Sequence, residues 1–263
     1  MNGLDDPAFW DDRTDYKSTV GAFTAWYSEQ AWIHAALPPS ASILDIAAGS
    51  GALTQCAAAS GNAVLAIDFS AAMVKSIAEL GLARVRAEVM DGQNLALDDG
   101  AFDAAFSMFG IMLFADWRRG LAEAVRVVVP GGLVCIGTWN SRYGAGPNLL
   151  IGETVGRILP EAAIVDVTPG MTEWAQPESF RSALAENGLD KIRIETVTHP
   201  FILDADLLDR PQEVFQFSPI WLALSEPQRN AVLAQIREEA ARSRGRITIE
   251  SPALIGFGIK AAE

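Results

Sequence analysis

The sequence predicts an α/β fold built around a doubly wound, mostly parallel sheet. The first apolar run, 43–46, leads through a glycine-containing turn into a helix that begins near Ala52. A second apolar run, 64–68, ends in an acidic residue, and a third, 85–90, is apolar enough to predict burial on both faces. Strands that alternate with helices in this way pair in parallel, with helices on both faces of the sheet.

Length, composition and the first residues favour a soluble globular protein. Half of the 263 residues are apolar, which is enough for one elaborated domain or two small ones. No apolar run reaches the ~20 residues of a membrane helix, and the acidic N-terminal stretch is unlike a basic targeting peptide. We therefore expect a cytoplasmic protein with no membrane span.

Charge and cysteine content narrow the possible partners. The chain has 20 Lys and Arg against 33 Asp and Glu, and the formal net charge of −13 would repel phosphate backbones. We therefore expect no nucleic-acid partner. Cys56 and Cys135 fall on a predicted helix and a predicted strand, and two cysteines without a nearby histidine do not form a structural zinc site. No metal is expected, and a homo-oligomer is left open.

The turn after the first strand has the features of a ligand-binding turn. Gly49, Ser50 and Gly51 precede the helix, and glycine allows positive φ and close approach of a ligand to the backbone. The free N–H groups of the new helix would point at that ligand. Asp68 lies 68 − 49 = 19 residues after the first glycine, near the ~20-residue spacing that brings a carboxylate to a ribose hydroxyl. A nucleoside is the expected ligand.

Two further features point to a nucleoside that carries an amino group. Asp45 lies on the strand before the turn, where a carboxylate suits an amino group but not a pyrophosphate. The second strand is followed by the order D-x-S-x-x-M, in which Ser70 is a predicted helix N-cap and Met73 lies in the first turn.

Five segments follow one another along 42–139. They read L-D-I-A-A-G-S-G, A-I-D-F-S-A-A-M, Asp91 after the third strand, F-D-A-A-F-S-M-F-G and R-V-V-V-P-G-G. In this order they resemble the motifs of class I S-adenosylmethionine-dependent methyltransferases, and most closely the small-molecule group that includes the ubiquinone and menaquinone enzymes. One departure is Ala47, where many members have the first glycine of the turn, and its single methyl should be tolerated.

The resemblance implies S-adenosylmethionine as cofactor and assigns roles to residues at the strand ends. Asp91 would accept from the exocyclic amine of adenine, and the alternative is an Asx turn that leads into the next loop. The residues that the resemblance places at the cofactor are Asp45, Ala47, Gly49, Ser50, Gly51, Asp68, Phe69, Met73, Asp91, Gly92, Gln93 and Ser107.

The resemblance also implies a seven-stranded sheet whose last strand is antiparallel. Alternating segments at 192–198 and 253–260 would form the final pair. We divide the chain into an N-terminal helical cap (1–41), a Rossmann-like core (42–202 and 247–263) and a helical lid insertion (203–246). The insertion should cover the carboxyl ends of the strands, where open α/β sheets bind ligands.

The acceptor of the methyl group is expected to be a small, largely hydrophobic or aromatic metabolite. The fourth strand ends Ser-Met-Phe-Gly, without the Asn/Asp-Pro-Pro-aromatic motif of methyltransferases that act on nucleic-acid amines. Many relatives have a histidine where this chain has Met112. The predicted acceptor contacts are Phe109, Met112, Trp139, Phe215 and Trp221, and the alternative is that these side chains only pack the core.

Methyl transfer from a sulfonium requires alignment and exclusion of water, with no covalent nucleophile. His34, His199 and Tyr27 are candidate bases, and Tyr16 and Tyr27 are candidates to contact the cofactor carboxylate. Two alternatives stay open. One is a protein of the same fold that binds the cofactor without methyl transfer. The other is a nicotinamide-dependent oxidoreductase, although Thr54 stands at the third glycine position of G-x-G-x-x-G.

Overall fold

Seven strands form one sheet in the computed structural model, which describes residues 6–11, 20–162, 168–216 and 218–262. The strands are β1 (Ser42–Ile46), β2 (Ala63–Asp68), β3 (Val85–Val89), β4 (Phe102–Met108), β5 (Val128–Trp139), β6 (Leu189–Asp204) and β7 (Arg246–Lys260). Their order is β3-β2-β1-β4-β5-β7-β6, and β7 is antiparallel to both of its neighbours. The predicted fold class, with its antiparallel last strand, is confirmed.

Helices connect the strands and cover the sheet. They are α1 (Pro7–Asp11), α2 (Val20–Ala35), α3 (Ala52–Ala59), α4 (Ala71–Ala78), α5 (Trp117–Arg126), α6 (Gly146–Ile158), α7 (Pro169–Glu173), α8 (Pro177–Glu186), α9 (Ala205–Leu208), α10 (Pro211–Val214), α11 (Pro219–Ala223) and α12 (Glu226–Arg242). Successive strand residues enter different cores: Ile43 lies in the core that contains Leu53 of α3, whereas Leu44 lies in the core that contains Leu121 of α5. This alternation is the expected result of strand geometry, and it buries both faces of the sheet.

The prediction that the third strand is buried on both faces is wrong. Within the described ranges β3 pairs only with β2, and none of its five residues is buried. Val89 is 58% exposed. The strand lies at the edge of the sheet, so its apolar residues lack the neighbours that cover a central strand.

The last two strands are longer than their predicted segments and extend beyond the sheet. β5 ends where Trp139 pairs with Ala253. From there β6 and β7 continue as a two-stranded ribbon that reaches the pair Asp204 and Arg246. The ribbon therefore projects from the carboxyl end of β5, and the insertion begins at its tip.

The insertion has a hydrophobic core of its own. Helices α11 and α12 and the ribbon pack against α6, which precedes β6 in the chain, and α9 packs on β6 and α12. Among the described residues this core contains sixteen buried ones, including Leu150, Leu203, Phe215, Trp221 and Ile236. It is distinct from the two cores that cover the sheet. The role of 203–246 as a lid stays a prediction.

Within the described residues, the molecule has no apparent membrane span or metal centre. None of the helices there is both long and apolar enough to cross a bilayer. No three His, Cys, Asp or Glu side chains in that part of the chain come together as metal ligands. Both cysteines are free thiols; Cys135 is buried and Cys56 half-buried.

Candidate functional site

A cavity of about 370 Å³ lies at the carboxyl ends of β1, β2 and β4. The structure brings together here nine of the residues predicted from the sequence: Ala47, Gly49, Asp68, Phe69, Met73, Asp91, Gly92, Gln93 and Phe109. A smaller recess of about 30 Å³ adjoins it and contains Asp45 and Ser50. Thr24, Ala47, Gly49 and Met108 line both spaces, so the cavity and the recess form one continuous site.

The turn between β1 and α3 has the left-handed backbone that its glycines predict. Gly49 and Gly51 have φ of 54° and 84°. Ala47 also adopts positive φ, 53°, in the region that glycine favours. The Ala47 methyl is therefore accommodated at a cost of about 1 kcal/mol. Gly110 makes this possible, because a Cβ at Gly110 would lie 2.5 Å from the Ala47 methyl.

Asp68 connects this turn to the helix that follows β2. The Gly49 N–H donates to Asp68 Oδ2 at 2.9 Å, and the Ser70 N–H donates to Oδ1 at 2.9 Å. Each carboxylate oxygen has a second lone pair that can accept a ligand hydroxyl. The side chain is buried, and desolvation raises the pKa of Asp68 despite the two backbone donors.

Asp45 is a buried carboxylate in the recess. Its Oδ2 accepts from the Thr54 hydroxyl at 2.6 Å and from the Thr54 N–H at 3.1 Å. Desolvation raises the pKa of Asp45 to about 7, against the opposing effect of these two hydrogen bonds. No lysine, arginine or histidine of the described ranges forms an ion pair with it. A ligand with an ammonium group would supply the missing cation, so the recess fits the amino-acid end of an aminoacyl nucleoside.

We expect the affinity for S-adenosylhomocysteine, measured by calorimetry, to rise as the pH rises through about 7. The sign follows from the raised pKa: below it Asp45 is protonated and neutral, and above it the carboxylate attracts the ligand ammonium. One coupled proton changes the affinity by at most about tenfold per pH unit. Asp45→Asn should bind weakly with a flat profile over this range, and a flat profile for the unaltered protein would contradict the assignment.

Asp91, Gly92 and Gln93 form the far end of the cavity. The Gln93 N–H and side-chain amide donate to Asp91 Oδ1 at 2.8 and 3.2 Å, so the Asx turn considered as an alternative is present. Asp91 nevertheless lines the cavity, and the two interpretations are compatible. A Cβ at Gly92 would lie 2.7 Å from the Phe114 ring and 2.9 Å from Ile46, which explains the glycine.

An aromatic cluster packs behind Phe109, which lines the cavity. Phe109 has a φ of 63°, rare for a bulky residue, and its N–H donates to Gly137 O at 3.0 Å. Its ring stacks on Trp139 with centroids 3.8 Å apart. Phe23 of α2 lies nearly parallel to Trp139 at 6.5 Å, and Tyr27 meets Phe109 edge-on at 5.5 Å. The end of β4 is thus covered by aromatic rings, and the His199 ring stacks on Phe23 at the outer side of the cluster, with ring centroids 5.5 Å apart.

Several predicted contacts lie away from the cavity. Ser107 is fully buried and accepts from the Ile111 N–H, and Gly51 caps α3. Met112 is 2% exposed, and its sulfur accepts from the Thr138 hydroxyl. Phe215 and Trp221 contact each other inside the insertion core, with ring centroids 5.2 Å apart. Met112, Phe215 and Trp221 do not line the cavity, and neither does Trp139, so these four acceptor contacts stay predictions.

None of the three candidate bases lines the cavity. Tyr27 is fully buried, its hydroxyl donates to Ser251 O at 2.5 Å, and burial raises the pKa of that hydroxyl. His199 is stacked on Trp26, with ring centroids 4.7 Å apart. His34 is paired with Glu195 of β6. The roles of these three residues as bases, and of Tyr27 as a cofactor contact, stay predictions, and Tyr16 lies outside the described residues.

Some residues that line the cavity and the recess are not predicted from the sequence. Thr24 and Ser28 of α2 line the recess, whereas Tyr27 and His34 are the residues of this helix that the sequence predicts as functional. Met108 and Gly110 flank Phe109 in an identified motif and could have been included. Trp10 of α1 also lines the cavity, and no local pattern marks it.

Comparisons with known proteins identify the family. Residues 44–136 match a family described as a methyltransferase domain. A demethylmenaquinone methyltransferase from Corynebacterium urealyticum is 30% identical over 171 residues, which cover 62% of this chain and 73% of the relative.

Two solved structures share the fold. The YcgJ protein from Bacillus subtilis aligns with a TM-score of 0.60 at 16% identity, over 90% of this chain and all of the other. Phosphoethanolamine N-methyltransferase 2 from Haemonchus contortus, solved with phosphomonomethylethanolamine and S-adenosylhomocysteine, aligns with a TM-score of 0.58 at 18% identity, over 98% of this chain and 60% of the other. The sequence match, together with the glycine turn and strand-end carboxylates, shows that the chain belongs to the class I S-adenosylmethionine-dependent methyltransferases.

Proposed function

We propose that this enzyme methylates a small, largely hydrophobic or aromatic metabolite. The observation that carries the proposal is the ring cluster of Phe109, Trp139, Phe23 and Tyr27 at the end of β4. Binding sites of this kind are mostly apolar with a few orienting polar groups. The relative from C. urealyticum is named for demethylmenaquinone, which agrees with an apolar acceptor.

The cofactor would be held by residues at the strand ends. We assign Asp68 to the ribose hydroxyls, Asp91 to the adenine amine and Asp45 to the amino group, with Thr24 and Ser28 of α2 lining the recess. S-adenosylmethionine supplies an activated methyl group on a sulfonium. The task of the chain is then to orient the acceptor and to exclude water, and the apolar rings serve both purposes.

The nicotinamide alternative has little support. The Thr54 side chain, at the position of the third glycine of a dinucleotide motif, instead donates to Asp45. Cytoplasmic location, the absence of a nucleic-acid partner and possible homo-oligomers stay predictions from the sequence.

Methylation of a reduced naphthoquinone, 1,4-dihydroxynaphthalene, tests the proposal. We expect methyl transfer to this probe and little to an aliphatic amine such as decylamine. Trp139→Leu should lower kcat/KM for the aromatic probe roughly two- to tenfold, because aromatic pairs contribute about 0.5–1.5 kcal/mol beyond area burial. The affinity of the Trp139→Leu variant for S-adenosylhomocysteine should be unchanged.

Trp174→Leu is a matched control, since this tryptophan is fully buried and its ring contacts Trp117 and Phe180, whereas Trp139 stacks on Phe109 of the cavity wall. Preference for the aliphatic amine, or an equal loss of activity in both variants, would argue against acceptor binding at the ring cluster.

A further inference from the structure

A short N-terminal helix forms part of the cavity wall. Pro7 and Trp10 of α1 face the same space as Asp68 and Asp91. The helix has only five residues, none of them fully buried, and it packs on α4. A nucleoside in the cavity would therefore touch an element that lies outside the cores of the sheet.

A carboxylate attaches this helix to the start of α4. Asp11 Oδ1 accepts from the Ser70 hydroxyl at 2.5 Å and from the Ala72 N–H at 3.2 Å. Both donors lie at the N-terminus of α4, where free N–H groups and the helix dipole favour a negative charge. The Ser70 hydroxyl and the Ala72 N–H together lower the pKa of Asp11, so the carboxylate is ionised at neutral pH.

The same serine is bonded to the carboxylate that we assign to the ribose. The Ser70 N–H donates to Asp68 Oδ1, and Asp68 Oδ2 in turn accepts from the Gly49 N–H. One series of hydrogen bonds thus runs from Asp11 through Ser70 and Asp68 to Gly49. It joins α1 to the two segments that surround the cofactor cavity.

We propose that Asp11 is a positioning residue that holds α1 against the cofactor cavity and thereby slows release of the bound nucleoside. The inference rests on the proposed cofactor site and concerns its exchange. Because Pro7 and Trp10 of α1 line the cavity and would contact the bound ligand, loss of the Asp11 bonds should act on dissociation more than on association. Differences among variants of one binding site generally appear in the dissociation rate.

Stopped-flow displacement of S-adenosylhomocysteine measures this directly. In Asp11→Ala we expect the dissociation rate to rise about tenfold, as for loss of one charge-assisted hydrogen bond, with association changed less than about threefold. Asp11→Asn keeps an acceptor oxygen and should show a smaller rise. Asp98→Ala removes one charge from an exposed turn outside the cavity and should behave like the unaltered protein.

A double-mutant cycle with Ser70→Ala identifies the route of the effect. If Asp11 acts through Ser70, the two substitutions together should raise the dissociation rate no more than the larger single effect. Additive effects in the cycle would contradict this route, and so would an Asp11→Ala dissociation rate within twofold of the unaltered value in a folded protein. Normal ligand binding with unchanged release overturns the role of Asp11 alone, whereas no binding by the unaltered protein overturns the cofactor site as well.

Discussion

Asp68→Ala is expected to weaken the binding of S-adenosylhomocysteine about ten- to a hundredfold, equivalent to roughly 1.5–3 kcal/mol. The carboxylate is 5% exposed and lies in the cavity wall. Its removal would leave the ribose hydroxyls without their acceptor. It would also free the Gly49 and Ser70 N–H groups, so the turn and the start of α4 would lose a shared partner.

Asp103→Ala is a matched control for this prediction. Asp103 also accepts two hydrogen bonds, from the Ser42 N–H and hydroxyl, but it does so at the opposite end of β1. This variant should lose some thermal stability and keep its affinity for the ligand. Calorimetry on both variants distinguishes a carboxylate that binds the ligand from one that only stabilises the fold. Equal affinities of Asp68→Ala and Asp103→Ala, with both proteins folded, would exclude Asp68 from ribose binding.

Trp221→Ala is expected to destabilise the insertion by about 3–5 kcal/mol, the usual range for a large aromatic residue removed from a core. Trp221 is 1% exposed, contacts the Phe215 ring and has the Arg229 guanidinium over its face. None of the residues in the insertion core lines the cofactor cavity. Affinity for S-adenosylhomocysteine should therefore be retained at temperatures where the variant is folded.

Trp221→Phe provides the control in thermal unfolding and limited proteolysis. Within the described residues the Trp221 indole N–H is buried without a hydrogen-bond partner, so phenylalanine removes an unsatisfied donor and keeps most of the packing. We expect it to cost much less stability than alanine. If Trp221→Ala instead kept its stability and lost only acceptor methylation, the residue would belong to the acceptor site after all.

These expectations assign acceptor recognition to the carboxyl end of β4 rather than to the insertion. The aromatic residues of both regions are buried, but Phe109 alone among the predicted acceptor contacts faces the cavity. Trp139 stacks on Phe109 and lies behind it, on the side away from the cavity. Packing, rather than composition, separates the two groups of rings.

The sequence by itself determined the features that depend on neighbours along the chain. The turn at Gly49, the N-cap Ser70 and the ends of β1 and β2 follow from local spacing and agree with the structure. Carboxyl ends of parallel strands meet at one edge, so Asp68 and Asp91 could be placed together before any coordinates were known.

Only the tertiary structure decided which buried surface each residue meets. Apolar patterning predicts that both Val89 and Trp221 are buried. Trp221 is buried by residues from distant parts of the chain, whereas Val89, on an edge strand, has no such neighbours and is exposed. The raised pKa of Asp45 likewise depends on burial without a cation, which spacing does not report. Asp11 is joined to Ser70 across 59 residues, and no periodic pattern extends over such a separation. Local sequence thus determines the glycine turn and the strand ends, whereas long-range packing determines which other residues form the cavity wall.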